Sequence, residues 1–155
     1  LLLDARDSLL LVVDVQERLW PHISNRESVR DRCRTLMQGA KHREVPVLLT
    51  EQYPQGLGPT LPELKESLPE SVEILEKRSF SCLGEEALRS RIEQAHRRQL
   101  VVCGTGACPA GTAMRGAVPR IPSCIDPPLS ADGLTKELQV VRVRIDKDIK
   151  GLLNP

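Results

Sequence analysis

The stretch that most constrains the fold is residues 8–16, in which the unbroken apolar run 9–13 is followed directly by Asp14. Such a run has no helical periodicity and is typical of a strand buried on both faces, as in the centre of a parallel sheet. Open α/β sheets bind ligands beyond the carboxyl ends of their strands. We therefore predict that Asp14 stands at a ligand crevice. The alternative is that its carboxylate only accepts hydrogen bonds from loop amides or caps the next turn.

Further apolar runs alternate with helical patterns along the chain. The segment 24–27 has the spacing of a capping box, and apolar residues then recur at helical intervals up to Ala40, which predicts a long helix. The Gly- and Pro-rich segment 51–60 is predicted to be a shaped, non-helical loop. Short helices are predicted over 62–68 and from 81 or 84 onward. The order of elements indicates an α/β domain with a mainly parallel sheet, whose further strands are predicted at 45–50, 72–76, 99–103 and 138–143.

Three chemically distinct side chains follow the ends of predicted strands: Asp14, Lys77 and Cys108. Parallel strands bring their carboxyl ends to one edge, so we expect these groups to lie near one another. A nearby cation favours thiolate over thiol, and a carboxylate can pass a proton to a leaving group. Backbone amides of the turn after the fourth strand are candidates for holding an oxyanion. The simpler interpretations are a solvated surface lysine and a small buried cysteine in a glycine turn.

Composition excludes several classes of function. The 155 residues suit one domain, and a net charge of +1 with a single Trp, Tyr and Phe disfavours a nucleic-acid platform. The chain shows neither a membrane span nor a signal peptide pattern, so we expect a cytoplasmic protein. Five cysteines without CxxC spacing predict buried thiols, of which one is a candidate for reactivity, and neither a disulfide framework nor a metal site.

Four segments carry distinctive motifs in a fixed order along the chain: 10–16, 50–60, 76–82 and 100–105. Together they resemble the isochorismatase-like cysteine hydrolases, and within them the small isochorismatase domain-containing proteins. The resemblance implies a Rossmann-like three-layer α/β/α fold and an Asp-Lys-Cys triad. Asp14 and Lys77 match the first two members of that triad. Cys108 is assigned to the third, although it comes two positions earlier than the family's cysteine.

The resemblance also implies a function and its alternatives. We expect thiol-dependent hydrolysis of an amide, imide or ester bond in a small molecule, by a homo-oligomer without cofactor or metal. Nicotinamidase activity is not expected, because the metal-binding Asp and His of that activity have no counterpart near 50–53. Two alternatives stay open: vinyl-ether hydrolysis by Asp14 and Lys77 alone, and a non-catalytic oligomeric binding protein. From about residue 107 the single domain departs from the family pattern, and four prolines between 116 and 134 predict loop there.

Overall fold

The computed structural model describes residues 3–23, 26–68, 72–78, 82, 85–105 and 141–144 of the chain. Four parallel strands form its centre: β1 (Ser8–Val13), β2 (Val47–Gln52), β3 (Glu73–Lys77) and β4 (Gln99–Gly104). A fifth strand, β5 (Val141–Arg144), pairs antiparallel with β4, and the strand order is β3-β2-β1-β4-β5. The helices are α1 (Arg26–His42), α2 (Pro54–Leu57), α3 (Pro62–Lys65) and α4 (Glu86–Gln94).

The sheet has an apolar core on each face, which confirms the predicted three-layer α/β/α architecture. Every residue of β1 is buried, as its unbroken apolar run predicted. Alternate residues of β1 face opposite sides, so Leu10 and Val12 pack in the core under α1. Leu9, Leu11 and Val13 pack in the core under α4, together with Leu88 and Ile92 of that helix. The helix α1 contributes the apolar stripe Val29, Cys33, Met37 and Ala40.

Most predicted elements are confirmed within a few residues, and one prediction is wrong. The segment predicted as non-helical contains the single helical turn α2. Pro54 begins this turn, and proline has the fixed φ that suits the first position of a helix. Gly58 ends it with a positive φ of 77°, which glycine adopts more readily than other residues. The predicted cap at Ser24, the proline-rich loop and the tail after residue 144 lie outside the described residues.

None of the helices in the described ranges has both the length and the apolar character needed to cross a membrane.

At the end of the sheet, β1 and β4 approach each other closely at Gly104. This residue pairs with Val13 and has a φ of 144°, a backbone conformation that side chains strongly disfavour. A Cβ atom at this position would overlap the Val13 carbonyl oxygen and lie 2.7 Å from the Val13 nitrogen. Because both obstacles are backbone atoms, neither can move without disturbing the strand that leads into Asp14.

We predict that Gly104→Ala lowers the free energy of unfolding by more than about 2 kcal/mol, through strain and overlap. Gly39→Ala is the matched control, because a Cβ added at this exposed position of α1 meets no atom within 4 Å. That control is expected to gain up to about 1 kcal/mol from helix propensity. Urea denaturation followed by circular dichroism measures both; equal stability of the two variants would contradict the expectation.

Candidate active site

The strand register brings polar side chains to the carboxyl edge of the sheet. Thr50 pairs with Val13, the residue before Asp14, and Gln52 pairs with Lys77. Side chains alternate along a strand, so Thr50 and Gln52 share the face of β2 to which Leu48 belongs. Leu48 packs in the core under α4. The site therefore lies at the top of that core, on the α4 side of the sheet.

Asp14 and Lys77 form a buried ion pair at this edge. Lys77 Nζ lies 2.6 Å from Asp14 Oδ2 and also donates to Gln52 Oε1 at 2.7 Å. The two charged residues are only 3% and 2% exposed. The interpretation of Lys77 as a solvated surface lysine is therefore wrong. Lys77 is two residues after Leu75 on β3, so the two side chains lie on the same face of the strand. Leu75 packs against the core under α4, and Lys77 is therefore buried on that side of the sheet.

The backbone of Asp14 is held in an unusual conformation. Its φ is 53°, in the left-handed region that aspartate and asparagine tolerate better than most residues. The Asp14 amide donates to the Thr50 carbonyl at 3.1 Å. The Thr105 hydroxyl donates to the Asp14 carbonyl oxygen at 2.6 Å, and the Thr105 amide donates to the Val13 carbonyl. These bonds fix where the Asp14 side chain leaves the chain.

The carboxylate itself is bound through both oxygens. Thr50 Oγ1 donates to Oδ1 at 2.8 Å, while Lys77 occupies Oδ2. Burial nevertheless raises the pKa of Asp14 above the usual aspartate value, since loss of water disfavours the charged form more than these two donors favour it. A carboxyl with a raised pKa is better suited to exchange protons near neutral pH.

Gln16 ties the strand ends to the neighbouring loop, and the sequence analysis did not identify it. Its side chain is fully buried and donates to the carbonyls of Gln52, at 3.0 Å, and Gly58, at 2.6 Å. Its Oε1 accepts from the Gln52 amide at 2.8 Å. Thr50 and Gln52 are two residues apart after an apolar run, and this spacing in the sequence indicates that their side chains lie on the same face of a strand. Nothing local in the sequence signals the partners of Gln16.

The described cysteines are buried and lie in the cores. Cys33 and Cys103 belong to the core under α1, on the opposite side of the sheet from the ion pair. A hydrogen bond with Cys33 and burial raise the pKa of the Cys103 thiol well above its usual value, which makes Cys103 a poor nucleophile. Cys82 is 2% exposed and packs in the core under α4. Cys108, the predicted nucleophile, lies outside the described residues.

A family comparison agrees with this arrangement. The model of the isochorismatase domain matches residues 8–114, which include Asp14 and Lys77. The chain belongs to the isochorismatase family. It is 37% identical over 113 residues to isochorismatase domain-containing protein 2 of Danio rerio, covering 72% of this chain and 56% of that relative. The family and the isochorismatase-like α/β fold implied by the sequence motifs are thus confirmed.

Solved structures share the fold. MAR1 ribonuclease from Caenorhabditis elegans superposes with a TM-score of 0.61 at 30% identity, covering 66% of this chain and 52% of that one. The YcaC gene product of Escherichia coli, described as an octameric hydrolase of unknown specificity, has a TM-score of 0.63 at 25% identity and coverages of 74% and 60%. This chain spans about half the length of the curated relatives it matches.

The direction of the Asp14 pKa predicts how stability changes with pH. A carboxyl whose pKa is raised by folding stabilises the fold below the ordinary aspartate pKa and loses that contribution as pH rises through the raised value. We expect the difference in unfolding free energy, wild type minus Asp14→Asn, to fall as pH rises above the ordinary aspartate pKa of about 4. Chemical denaturation over a series of pH values measures it.

Asp4→Asn is the control with the opposite sign. Asp4 accepts hydrogen bonds from Arg6, which lower the pKa of its carboxyl. The corresponding difference for Asp4 is therefore expected to rise with pH, and to do so below the ordinary aspartate pKa of about 4. If the Asp14 difference also rose with pH, the attraction of Lys77 would outweigh burial and the stated direction would be wrong.

Proposed function

We propose that this chain is a thiol-dependent hydrolase that cleaves an amide, imide or ester bond in a small molecule. The observation that carries the proposal is the buried pair of Asp14 and Lys77 at the carboxyl edge of the sheet. Ligands of open α/β sheets bind at this edge. A buried ion pair often adds no more stability than apolar residues of similar volume, so stability alone does not explain it. Cys108 is proposed as the nucleophile.

In the proposed reaction, the Cys108 sulfur forms a bond to the substrate carbonyl carbon as Asp14 accepts the thiol proton. Asp14 then gives that proton to the leaving amine or alcohol when the carbonyl–heteroatom bond breaks, which leaves a thioester on Cys108. Water attacks the thioester with Asp14 again as base, and the acid product departs as the thiol is restored. Lys77 stabilises the thiolate and keeps its proton throughout.

Chain connectivity supports Cys108 as the proposed attacking group. Thr105 is anchored beside Asp14 by its amide and hydroxyl bonds. Cys108 follows three residues later, and three residues reach at most about 11 Å. Of the described thiols, Cys33 and Cys103 face the other side of the sheet, and Cys82 is buried in the core under α4.

Relatives add support without fixing the substrate. The E. coli relative is described as a hydrolase and as octameric, which supports the proposals of hydrolysis and of a homo-oligomer. The word ribonuclease describes the C. elegans relative, whereas the small net charge and few aromatic residues of this chain favour a small molecule over a nucleic acid. A cytoplasmic location and a single domain over residues 1–155 stay predictions.

A second candidate is vinyl-ether cleavage without a cysteine. Asp14 would supply the proton as a general acid, a role that its raised pKa also suits. One observation favours this candidate: the described side-chain donors to the Asp14 carboxylate are Thr50 and Lys77, neither of which is a thiol. It differs from thiol hydrolysis in predicting full activity for Cys108→Ser.

We predict that iodoacetamide at neutral pH modifies Cys108 before the other thiols. Cys33, Cys82 and Cys103 are at most 2% exposed and are protected by packing, while a thiol near Lys77 is expected to ionise more readily. Peptide mass spectrometry after limited labelling measures the order. Prior modification of Cys82 or Cys124, with Cys108 untouched, would make the assignment wrong.

The role of Lys77 in that reactivity needs a variant that leaves no unpaired charge. Lys77→Met alone is expected to destabilise by about 3–5 kcal/mol, because Asp14 would stay buried without its cation. The double variant Asp14→Asn/Lys77→Met removes both charges and is the better test. Slower labelling of Cys108 in this folded double variant supports the proposal, and an unchanged rate speaks against a thiolate held by Lys77.

We predict that Asp14→Asn lowers turnover by about 10²- to 10⁴-fold, the usual contribution of general acid–base catalysis. Asparagine keeps the shape and tolerates the left-handed backbone, but it cannot carry the proton. Release of product from p-nitrophenyl acetate and from a panel of small amides, imides and vinyl ethers measures the effect. Full activity of Asp14→Asn would remove Asp14 from both proposed mechanisms, whereas no turnover by the wild type on any of these substrates would favour the non-catalytic binding protein.

A further inference from the structure

We propose that Thr50 is a positioning residue that fixes the Asp14 carboxylate in the orientation needed for proton transfer. The inference rests on the proposed function of Asp14, but its geometry is independent of which residue is the nucleophile. Thr50 is fully buried at the carboxyl end of β2, which lies between β1, the strand that leads into Asp14, and β3, the strand that ends in Lys77.

Thr50 holds Asp14 at two points. Its carbonyl accepts the Asp14 amide at 3.1 Å, which extends the pairing of β1 with β2 by one residue. Its hydroxyl donates to Asp14 Oδ1 at 2.8 Å. The first bond fixes the backbone of Asp14, and the second fixes the orientation of its carboxylate.

Because of the Thr50 hydroxyl, each of the two Asp14 carboxylate oxygens accepts a hydrogen bond from a different side chain. With Thr50 on Oδ1 and Lys77 on Oδ2, rotation about the terminal torsion of Asp14 would break both contacts. Loss of the Thr50 hydroxyl leaves Lys77 as the one side-chain donor to the carboxylate within the described ranges. The carboxyl would then turn more freely around a single anchor.

The charge environment of Asp14 gives the expected direction of the effect. Lys77 on β3 is the charged side chain that contacts the carboxylate. Glu51 is also buried, but it alternates to the other face of β2, where its Oε1 accepts from the Thr60 amide at 2.7 Å. The Thr105 hydroxyl donates to the backbone carbonyl of Asp14 and not to its carboxylate. A donor to the charged carboxylate lowers its pKa, so removing the Thr50 hydroxyl should raise it further.

The test compares Thr50→Val with Thr50→Ser. Valine keeps the shape without the hydroxyl, whereas serine keeps the hydroxyl without the methyl group. Titration of the ¹³C-labelled Asp14 carboxyl by NMR is expected to show a pKa higher by about one pH unit in Thr50→Val and near wild type in Thr50→Ser. The acidic limb of the Cys108 labelling rate is expected to move upward by the same amount in Thr50→Val only.

Thr60→Val is the matched control for removal of a buried threonine hydroxyl. Thr60 is 1% exposed, and its Oγ1 has no hydrogen-bond partner in the described part of the chain. Its replacement should leave the Asp14 titration unchanged. If Thr50→Val does not fold, Thr50→Ala supplies a smaller hydroxyl-free side chain for the same titration.

The outcomes separate this inference from the proposed function. An unchanged Asp14 titration in the hydroxyl-free variants, or the same change in Thr60→Val, would overturn the role of Thr50. A titration that moves as expected supports that role even if Asp14→Asn proves fully active. In that case Thr50 positions Asp14, and the hydrolase proposal alone fails.

Discussion

The structure depends on one electrostatic constraint, which is that Asp14 and Lys77 are both withdrawn almost completely from water. Removing a carboxylate and an ammonium from solvent costs several kcal/mol per ion, and their mutual attraction recovers this only with good geometry and further hydrogen bonds. Thr50 and Gln52 provide those bonds, one to each member of the pair. An apolar pair of similar size would often be at least as stable, so a gain in stability does not by itself explain why the chain has this pair.

The strand β2 acts as a spacer between the two charges. Its residues Thr50 and Gln52 are two apart and share a face of the strand. Thr50 lies beside the end of β1 and binds Asp14, whereas Gln52 lies beside the end of β3 and binds Lys77. Gln16 then fixes the backbone of Gln52 through bonds to both its amide and its carbonyl. The site is thus built on strand ends instead of mobile loops, which limits its freedom to rearrange.

Sequence reasoning predicted the parts that follow from local pattern. The apolar run before Asp14 correctly predicted β1, because an unbroken apolar run without helical periodicity is typical of a strand buried on both faces. Parallel pairing of the strands also predicted that Asp14 and Lys77 lie at the same edge of the sheet, and the two side chains are in contact there. The burial of Lys77 and the contacts of Gln16 depend on packing between distant segments, and no local propensity encodes such contacts. The helical turn after Tyr53 had a local signal, which was Pro54 at its first position.

The hydrogen bonds around Asp14 span long distances in sequence. Thr50 is 36 residues away, and Thr105 is 91 residues away. Contacts of this separation require loop closure before they contribute free energy, and proteins rich in such contacts fold more slowly than proteins with mainly local contacts. A partly folded chain with β1 paired to a single neighbour would hold Asp14 without its full set of partners. The chemistry of this carboxyl therefore reports on completion of the central sheet, and its titration would distinguish the finished fold from compact intermediates.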